Sequence, residues 1–543
     1  MFLRKAASEG IVLLKNSASL LPLSLHSAKQ VAFIGPNARE SVAAGGGSAS
    51  LNPHYRQTPY DAFMKNAAVQ FPGLSVVHAT GCHANKWVPL FPETCVSPKN
   101  GCHGMYMEYF DNPNLLAPAV HAAHRTSTLL SCYDNLPKSF VPGKRYSYRA
   151  TGLLTPRTTG RHTFSMGACG PGRLLVDGKV VINLWNRTKL SERSEMFMGY
   201  ASPEVRYEMD MIAGQTYLID VEGVSRELDP IPAHPTKELY RDEIMDGCRV
   251  GFMEEVKDDL LSEAITLAKA SDIVVLVVGK NIEWESEAYD MKTMDLPGGQ
   301  NALISAILAV NPSTVIVNQS GSPITMPWLS QAHTILQAWY QGQELGNSLY
   351  DVLTGAISPC GKLPVTFPAR LQDTPAYHNF PGESDSVVYG EGIWLGYRHY
   401  DAVGVAPLFP FGFGLSYTTF RYSNTRVSSS IFVDKITVSV DITNTGAVPG
   451  KESVQFYVSQ TSTPGLPRPV RELKGFTKLH LVPGQTKTAS YVLDRYALGY
   501  YDVKRHGWVV DSGAEFEVWA ASSSRDLRGM ARFVVLEAMW WIN

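Results

Sequence analysis

Four carboxylates crowd one short stretch of this chain. Glu283, Glu285, Glu287 and Asp290 lie in GKNIEWESEAYDMKTMD, Gly279 to Asp295, with Trp284 and Tyr289 among them. Aromatic rings stack on sugar faces, and a carboxyl group beside apolar rings can hold its proton at neutral pH, as a general acid must. The mixture therefore suits sugar chemistry. The bland alternative is a solvated acidic loop, since most surface carboxylates do no chemistry. A Mg²⁺ or Ca²⁺ site built from Glu283, Glu285, Glu287 and Asp290 is the other alternative. Against it, no Asp-rich loop or EF-hand spacing is present, and Trp284 and Tyr289 offer no useful ligand.

The element that must position these acids is the apolar run Ile273 to Val278 (IVVLVV), which reads as a buried strand of a parallel sheet. Ligands of open α/β sheets sit outside the carboxyl ends of the strands, which is where the acidic stretch falls. Further strands are expected at Val31–Ile34, Ser75–His78, Ser313–Val317, Thr334–Trp339 and Lys362–Phe367, giving about six. Helical periods at residues 4–9, Asp259–Ala270 and Ala302–Val310, and around Tyr350-Asp351, alternate with them. That alternation predicts βαβ units and a mostly parallel sheet. Ile11 to Leu14 is a short apolar run. The glycine-rich GGGSAS, Gly45 to Ser50, is neither GxGxxG nor followed by GK[ST]; it predicts close backbone approach rather than a phosphate or dinucleotide cradle.

From about Gly101 to Val250 the texture becomes all-β, with short alternating segments and an Asp177-Gly178 hairpin signal. Parallel-type strands resume afterwards, so this module is an insertion. Pro368 to Phe420, rich in Gly, Pro and aromatics, reads as a long irregular connector. Beyond it, ITVSVDITNTG, SVQFYVS, TASYVLD and EFEVWAAS alternate with period two, as in a β-sandwich. The tail EAMWWIN has no clear element of its own. The fold class is thus multidomain, α/β plus all-β.

At 543 residues the chain exceeds what one core can organise. A net charge of −2 gives no reason to expect nucleic acid or an anionic membrane as partner, and no apolar run reaches the ~18 residues a membrane span needs. MFLRKAASEG has no apolar h-region of a signal peptide. Seven cysteines allow one or two disulfides but no framework, and Cys82, Cys95 and Cys102 lack zinc-site spacing. Asn186-Arg-Thr188 and Asn318-Gln-Ser320 fit the glycosylation sequon.

Taken together, WESEAYD, TVIVNQSGSP, AWYQGQELGN, GKLPVTFP, YGEGIWLGYRHYD and FPFGFGLSYTTF resemble the C-terminal two-thirds of family 3 glycoside hydrolases, the β-glucosidases of fungi and bacteria. SEGIVLLKN, IGPNA and GGGSAS resemble the start of that family's α/β-sandwich domain. The inserted module is similar to the protective-antigen-like carbohydrate-binding domain of one fungal branch, although GACGPGR stands where an acidic turn is often found. LKGFTKLHLVPG resembles the family's fibronectin type III-like domain. These likenesses imply an α/β-sandwich domain in two parts, 1–100 and 251–425, an inserted β-sandwich-like module at 101–250, and a fibronectin type III-like sandwich at 426–536.

The resemblance further implies retaining hydrolysis of terminal β-linked glucose, with no cofactor and no metal, on a β-glucoside or oligosaccharide substrate. Glu287 matches the acid/base glutamate of the family pattern SEGYD, and Glu285 is the fallback. Ala288 replaces the usual glycine, and Met291 stands where arginine often follows the aspartate. Family members begin with a (β/α)8 barrel carrying the nucleophilic aspartate; the chain starts at the helix that would follow it. Asp290, Asp295, Asp351 and Asp385 do not match the nucleophile motif. The expectation is a chain that is inactive alone, with a non-catalytic carbohydrate-binding protein as the alternative. Secretion, or else a cytoplasmic location, and self-association complete what the resemblance leaves open.

Overall fold

The computed structural model describes residues 1–132, 136, 145–186, 195–226, 246–256, 259–287, 290–384, 386–462 and 467–542. Ala288, Tyr289 and Asp385 lie outside the described residues, as do the last two residues of the Asn186 sequon.

The central sheet has six strands in the order Val12–Asn16, Thr334–Gln337, Thr314–Gln319, Ile273–Gly279, Gln30–Ile34, Ser75–Ala79. All pair in parallel except Val12–Asn16, which runs antiparallel at the edge beside Thr334–Gln337. Every residue of Ile273–Gly279 is buried, as expected of a central strand covered on both faces. Its side chains alternate between two cores. Val274, Leu276 and Val278 pack with Ala264, Leu303 and Ile307 of helices Leu260–Ala270 and Gln300–Val310. Ile273, Val275 and Val277 pack with Phe63, Leu349 and Val352 of helices Pro59–Gln70 and Leu345–Leu353. The result is a three-layer α/β sandwich.

Lys362–Phe367, expected as the sixth strand, is not in this sheet. Pro364 has no N–H to donate to a ladder. The segment is held instead through Leu363 and Phe367, whose N–H groups donate to Phe413 and Phe409 carbonyls. The vacant sheet edge is taken by Val12–Asn16, grown from the apolar run at Ile11–Leu14.

The chain leaves this sandwich after Ser75–Ala79 and returns through Gly247–Met253. In between, one sheet is built on Tyr217–Val224, Ser147–Leu154 and Met105–Phe110, and another on Val205–Met211, Gly160–Ala168 and Gly247–Met253. Tyr109, Tyr148, Phe164 and Val250 are among the residues of the core they share. The Asp177-Gly178 hairpin forms as expected, both residues having positive φ (48° and 77°) between Gly172–Val176 and Lys179–Asn183. After the connector, strands Lys435–Asn444, Gly450–Gln460 and Ala514–Ser523 belong to a two-sheet sandwich around Val438, Phe456 and Val518. The tail has a structure the sequence left open. Met539–Trp541 pairs with Gly507–Val510, and Trp541, 5% exposed, stacks on Trp508 with centroids 6.4 Å apart. All seven cysteines are free thiols, so the one or two disulfides the count allowed are not formed.

Candidate active site

Ile273–Gly279 and Gln30–Ile34 are neighbours in the sheet, yet their connections run opposite ways, one toward Thr314–Gln319 and the other toward Ser75–Ala79. That divergence is a topological switch point, where open sheets form a crevice past their strand ends. Two loops emerge there. One continues from Gly279 into the acidic stretch; the other runs from Gly35 to the glycine-rich segment. Gly279 has φ +154°, and a Cβ on it would stand 2.0 Å from the Gln319 carbonyl oxygen, so only glycine fits where the acidic loop departs. Gln300 fastens the same residue, accepting the Gly279 N–H and donating to its carbonyl, both at 2.8 Å.

The two loops zip together along their backbones. Gly46 N–H donates to the Glu285 carbonyl at 2.9 Å, and Ser48 N–H donates to Glu287 Oε2 at 2.8 Å. At Gly47, φ +72°, a Cβ would lie 2.4 Å from the Glu287 Cβ. Close backbone approach is therefore what the glycines of GGGSAS serve.

The carboxylates have separate fates. Glu283 accepts from Lys86 N–H at 3.0 Å and pairs with Arg249 at 2.7 Å. Arg249, its side chain 5% exposed, comes from the strand that closes the inserted module, so this pair locks the module to the acidic loop. Glu285 accepts from Gly321 N–H (2.5 Å), Ser322 N–H (3.1 Å), the Ser322 hydroxyl and the Tyr340 hydroxyl, and lies 3.4 Å from Lys280 Nζ. Burial opposes its charge, but these donors outweigh burial and hold its carboxyl below the usual range. A carboxylate so saturated is held as an anion. Glu287 is exposed, with its carboxyl drawn below the usual range by Ser48.

Among the described residues, Trp284 is engaged away from Glu287: it donates from Nε1 to the Ala84 carbonyl at 2.6 Å, and Lys86 sits over its ring at 5.3 Å. Among the described residues Glu283 and Glu285 face different partners, Glu283 being taken by Arg249 and Glu285 by its hydroxyl, amide and ammonium donors. Asp295 accepts from Thr293 and Thr325, and Asp351 is clasped by Arg4 at 2.6 and 2.7 Å. The Asn318 sequon is not a glycosylation site in this fold, since Asn318 is 0% exposed and donates to Ser320 and Gln337.

Several residues that build the site carried no sequence signal of their role. Ser322 lies in the conspicuous NQSGSP and Tyr340 in AWYQGQELGN, but nothing in either string says that both reach Glu285. Arg249 sits far from the loop in sequence and gave none at all.

An acid-bearing loop clamped by a glycine-rich loop at the switch point of an α/β sandwich stands where a ligand site is expected. The chain belongs to glycoside hydrolase family 3: residues 11–417 match the Glycosyl hydrolase family 3 C-terminal domain, and residues 452–524 match a Fibronectin type III-like domain. It is 36% identical over 558 residues to a protein of Aspergillus oryzae named probable beta-glucosidase I, covering 100% of this chain and 64% of the relative. A probable beta-glucosidase I of Emericella nidulans is 39% identical over 528 residues, covering 94% of this chain and 60% of the relative. The structure of a beta-glucosidase from Kluyveromyces marxianus in complex with glucose superposes with a TM-score of 0.89 at 35% identity, over 99% of this chain and 63% of that one. The chain thus spans less than two-thirds of the length of these relatives.

Proposed function

We propose that this chain carries the acid/base half of a retaining β-glucosidase, with Glu287 as the catalytic acid/base and a terminal β-D-glucosyl residue as the group transferred. The single observation that carries the reading is the sorting of carboxylates at the switch point. Glu283 and Glu285 are neutralised by cations and hydrogen-bond donors, while Glu287 is exposed and aimed by one backbone N–H. Retaining hydrolysis needs a carboxyl group to protonate the leaving oxygen and then, as carboxylate, to take a proton from water. Ser48 favours the second state. Covering Glu287 with a sugar removes water from it and raises its proton affinity toward the first. The nucleophile belongs, in this reading, to the part of the relatives that the chain does not span, because Asp290, Asp295, Asp351 and Asp385 do not match the family's nucleophile motif. Secretion is part of the reading on the resemblance alone.

The test is aryl β-glucoside hydrolysis by the purified chain, alone and supplied with the complementary portion of a homologous enzyme. Turnover only in the complemented assay, lowered by Glu287→Gln most strongly for glucosides with poor leaving groups, is the expected outcome. Robust turnover by the chain alone, lost on changing a carboxylate outside the acidic loop, would overturn it. Glycan binding without turnover in either assay would favour a carbohydrate-binding protein.

A further inference from the structure

Lys280 is the first residue past the strand end, and its side chain is 1% exposed. A buried ammonium costs several kcal/mol unless it is well paired, so its presence asks for a reason. The proposed reaction gives it none, since proton transfer to and from the glycoside uses Glu287 alone. Its neighbours supply one. Lys280 Nζ lies 3.1 Å from Ser322 Oγ, 3.4 Å from Glu285 Oε1 and 3.4 Å from Met291 Sδ.

Glu285 is the hub of the acidic loop. Its carboxylate gathers Gly321, Ser322 and Tyr340 from the two adjoining strand ends, and its carbonyl accepts the Gly46 N–H. Two residues beyond Gly46, Ser48 holds Glu287. A continuous path of contacts therefore runs from the ammonium to Glu285, to the glycine-rich loop, to the exposed glutamate. Met291 touches the ammonium from the other side, and its sulfur offers only weak acceptance. Position 291 is thus within a side chain's reach of the same spot.

We propose that Lys280 is a positioning residue for Glu287: its ammonium neutralises Glu285, and the neutralised hub fixes the register of the glycine-rich loop against the acidic loop. What the site requires is a cation at this spot rather than lysine at 280, so a cation supplied from position 291 serves equally. The consequence for catalysis rests on the reading of Glu287 given above; the positioning itself does not.

The experiment is amide hydrogen exchange on the full chain for Lys280→Met and for the double variant Lys280→Met, Met291→Lys. In Lys280→Met, amides in 45–50 and 281–287 should exchange about tenfold faster or more, while strand Ile273–Gly279 keeps its protection. The double variant should restore protection in both loops. A packing role for the lysine stem would not be rescued by moving the charge. Unchanged loop exchange in Lys280→Met, or a double variant as labile as the single one, overturns the proposal. Should Lys280→Met fail to fold, recovery of the folded, protected state in the double variant supports the proposal, and its failure to fold overturns it. In the complemented glucosidase assay, turnover should follow loop protection. Restored protection without glucosidase activity in any variant, wild type included, would leave the positioning intact and count against Glu287 as the acid/base.

Discussion

Ser48 N–H and Glu287 Oε2, 239 positions apart in the chain, meet at 2.8 Å. The bond joins loops that leave adjacent strands, and it aims the one exposed glutamate among Glu283, Glu285 and Glu287. The same contact makes Glu287 easier to ionise than an ordinary glutamate. In the proposed reading a free site so arranged holds a carboxylate, and a covered one the acid.

Glu287→Gln should therefore act unequally on substrates. In the complemented assay, glucosides with poor leaving groups should lose turnover about 10²–10⁴-fold, because they need protonation. Activated aryl glucosides should be hurt less in glycosylation, and added azide should rescue deglycosylation. Equal losses on both substrate classes, with no azide effect, would make Glu287 structural.

Gly47→Ala should damage the clamp from the opposite side. The new methyl would collide with the Glu287 Cβ, and the backbone there has φ +72°. A non-glycine residue held in such a conformation costs about 1–3 kcal/mol. The expected result is a lower urea midpoint together with reduced turnover in the complemented assay. Wild-type values for both would show that the loop has room to yield.

Arg249→Met should loosen the inserted module from the acidic loop. Removing one partner of a buried ion pair typically costs about 3–5 kcal/mol, because the other charge is stranded. Here that charge is Glu283, which loses its 2.7 Å partner. Adding Glu283→Gln to Arg249→Met should recover much of the loss, read as a double-mutant cycle in chemical denaturation. Simple additivity of the two substitutions would mean that the pair is not coupled.

His78 should give the protein an acid-sensitive term unrelated to the site. Burial, reinforced by the nearby Arg39, pushes its pKa down to about 4. The unfolded chain then binds more protons than the native one between about pH 6.5 and 4, so stability falls as pH drops through that window. His78→Phe should flatten this part of the profile of urea midpoint against pH. A profile of unchanged slope would assign the loss to other groups.

Much of the architecture was legible because each local pattern agreed with the global one. The all-apolar run at Ile273–Val278 could be stable only as a strand covered on both sides, and it is. The Asp-Gly hairpin formed because those two residue types tolerate positive φ. The misplaced sixth strand shows the limit. Both Lys362–Phe367 and Ile11–Leu14 carry apolar residues, and the choice between them turned on which could offer unbroken backbone N–H groups to the edge of the sheet. The tail was illegible for a related reason: a three-residue strand exists only because Trp508 is there to stack on.

For the site, the sequence by itself determined that acids follow a buried strand and that a glycine-rich loop must lie against another backbone; Glu287 was singled out only by its resemblance to a family pattern. It could not say which backbone. Nor could it separate three glutamates at alternate positions, which are chemically identical until each meets its partners. Only the tertiary structure decided that Arg249 takes Glu283 and that Lys280, Ser322 and Tyr340 take Glu285, leaving Glu287 exposed. The physical reason is that charge and hydrogen-bond donors act over a few ångströms, and Arg249, Ser322 and Tyr340, 34, 37 and 55 positions from the glutamates they hold, come within reach only by folding around one switch point in the sheet.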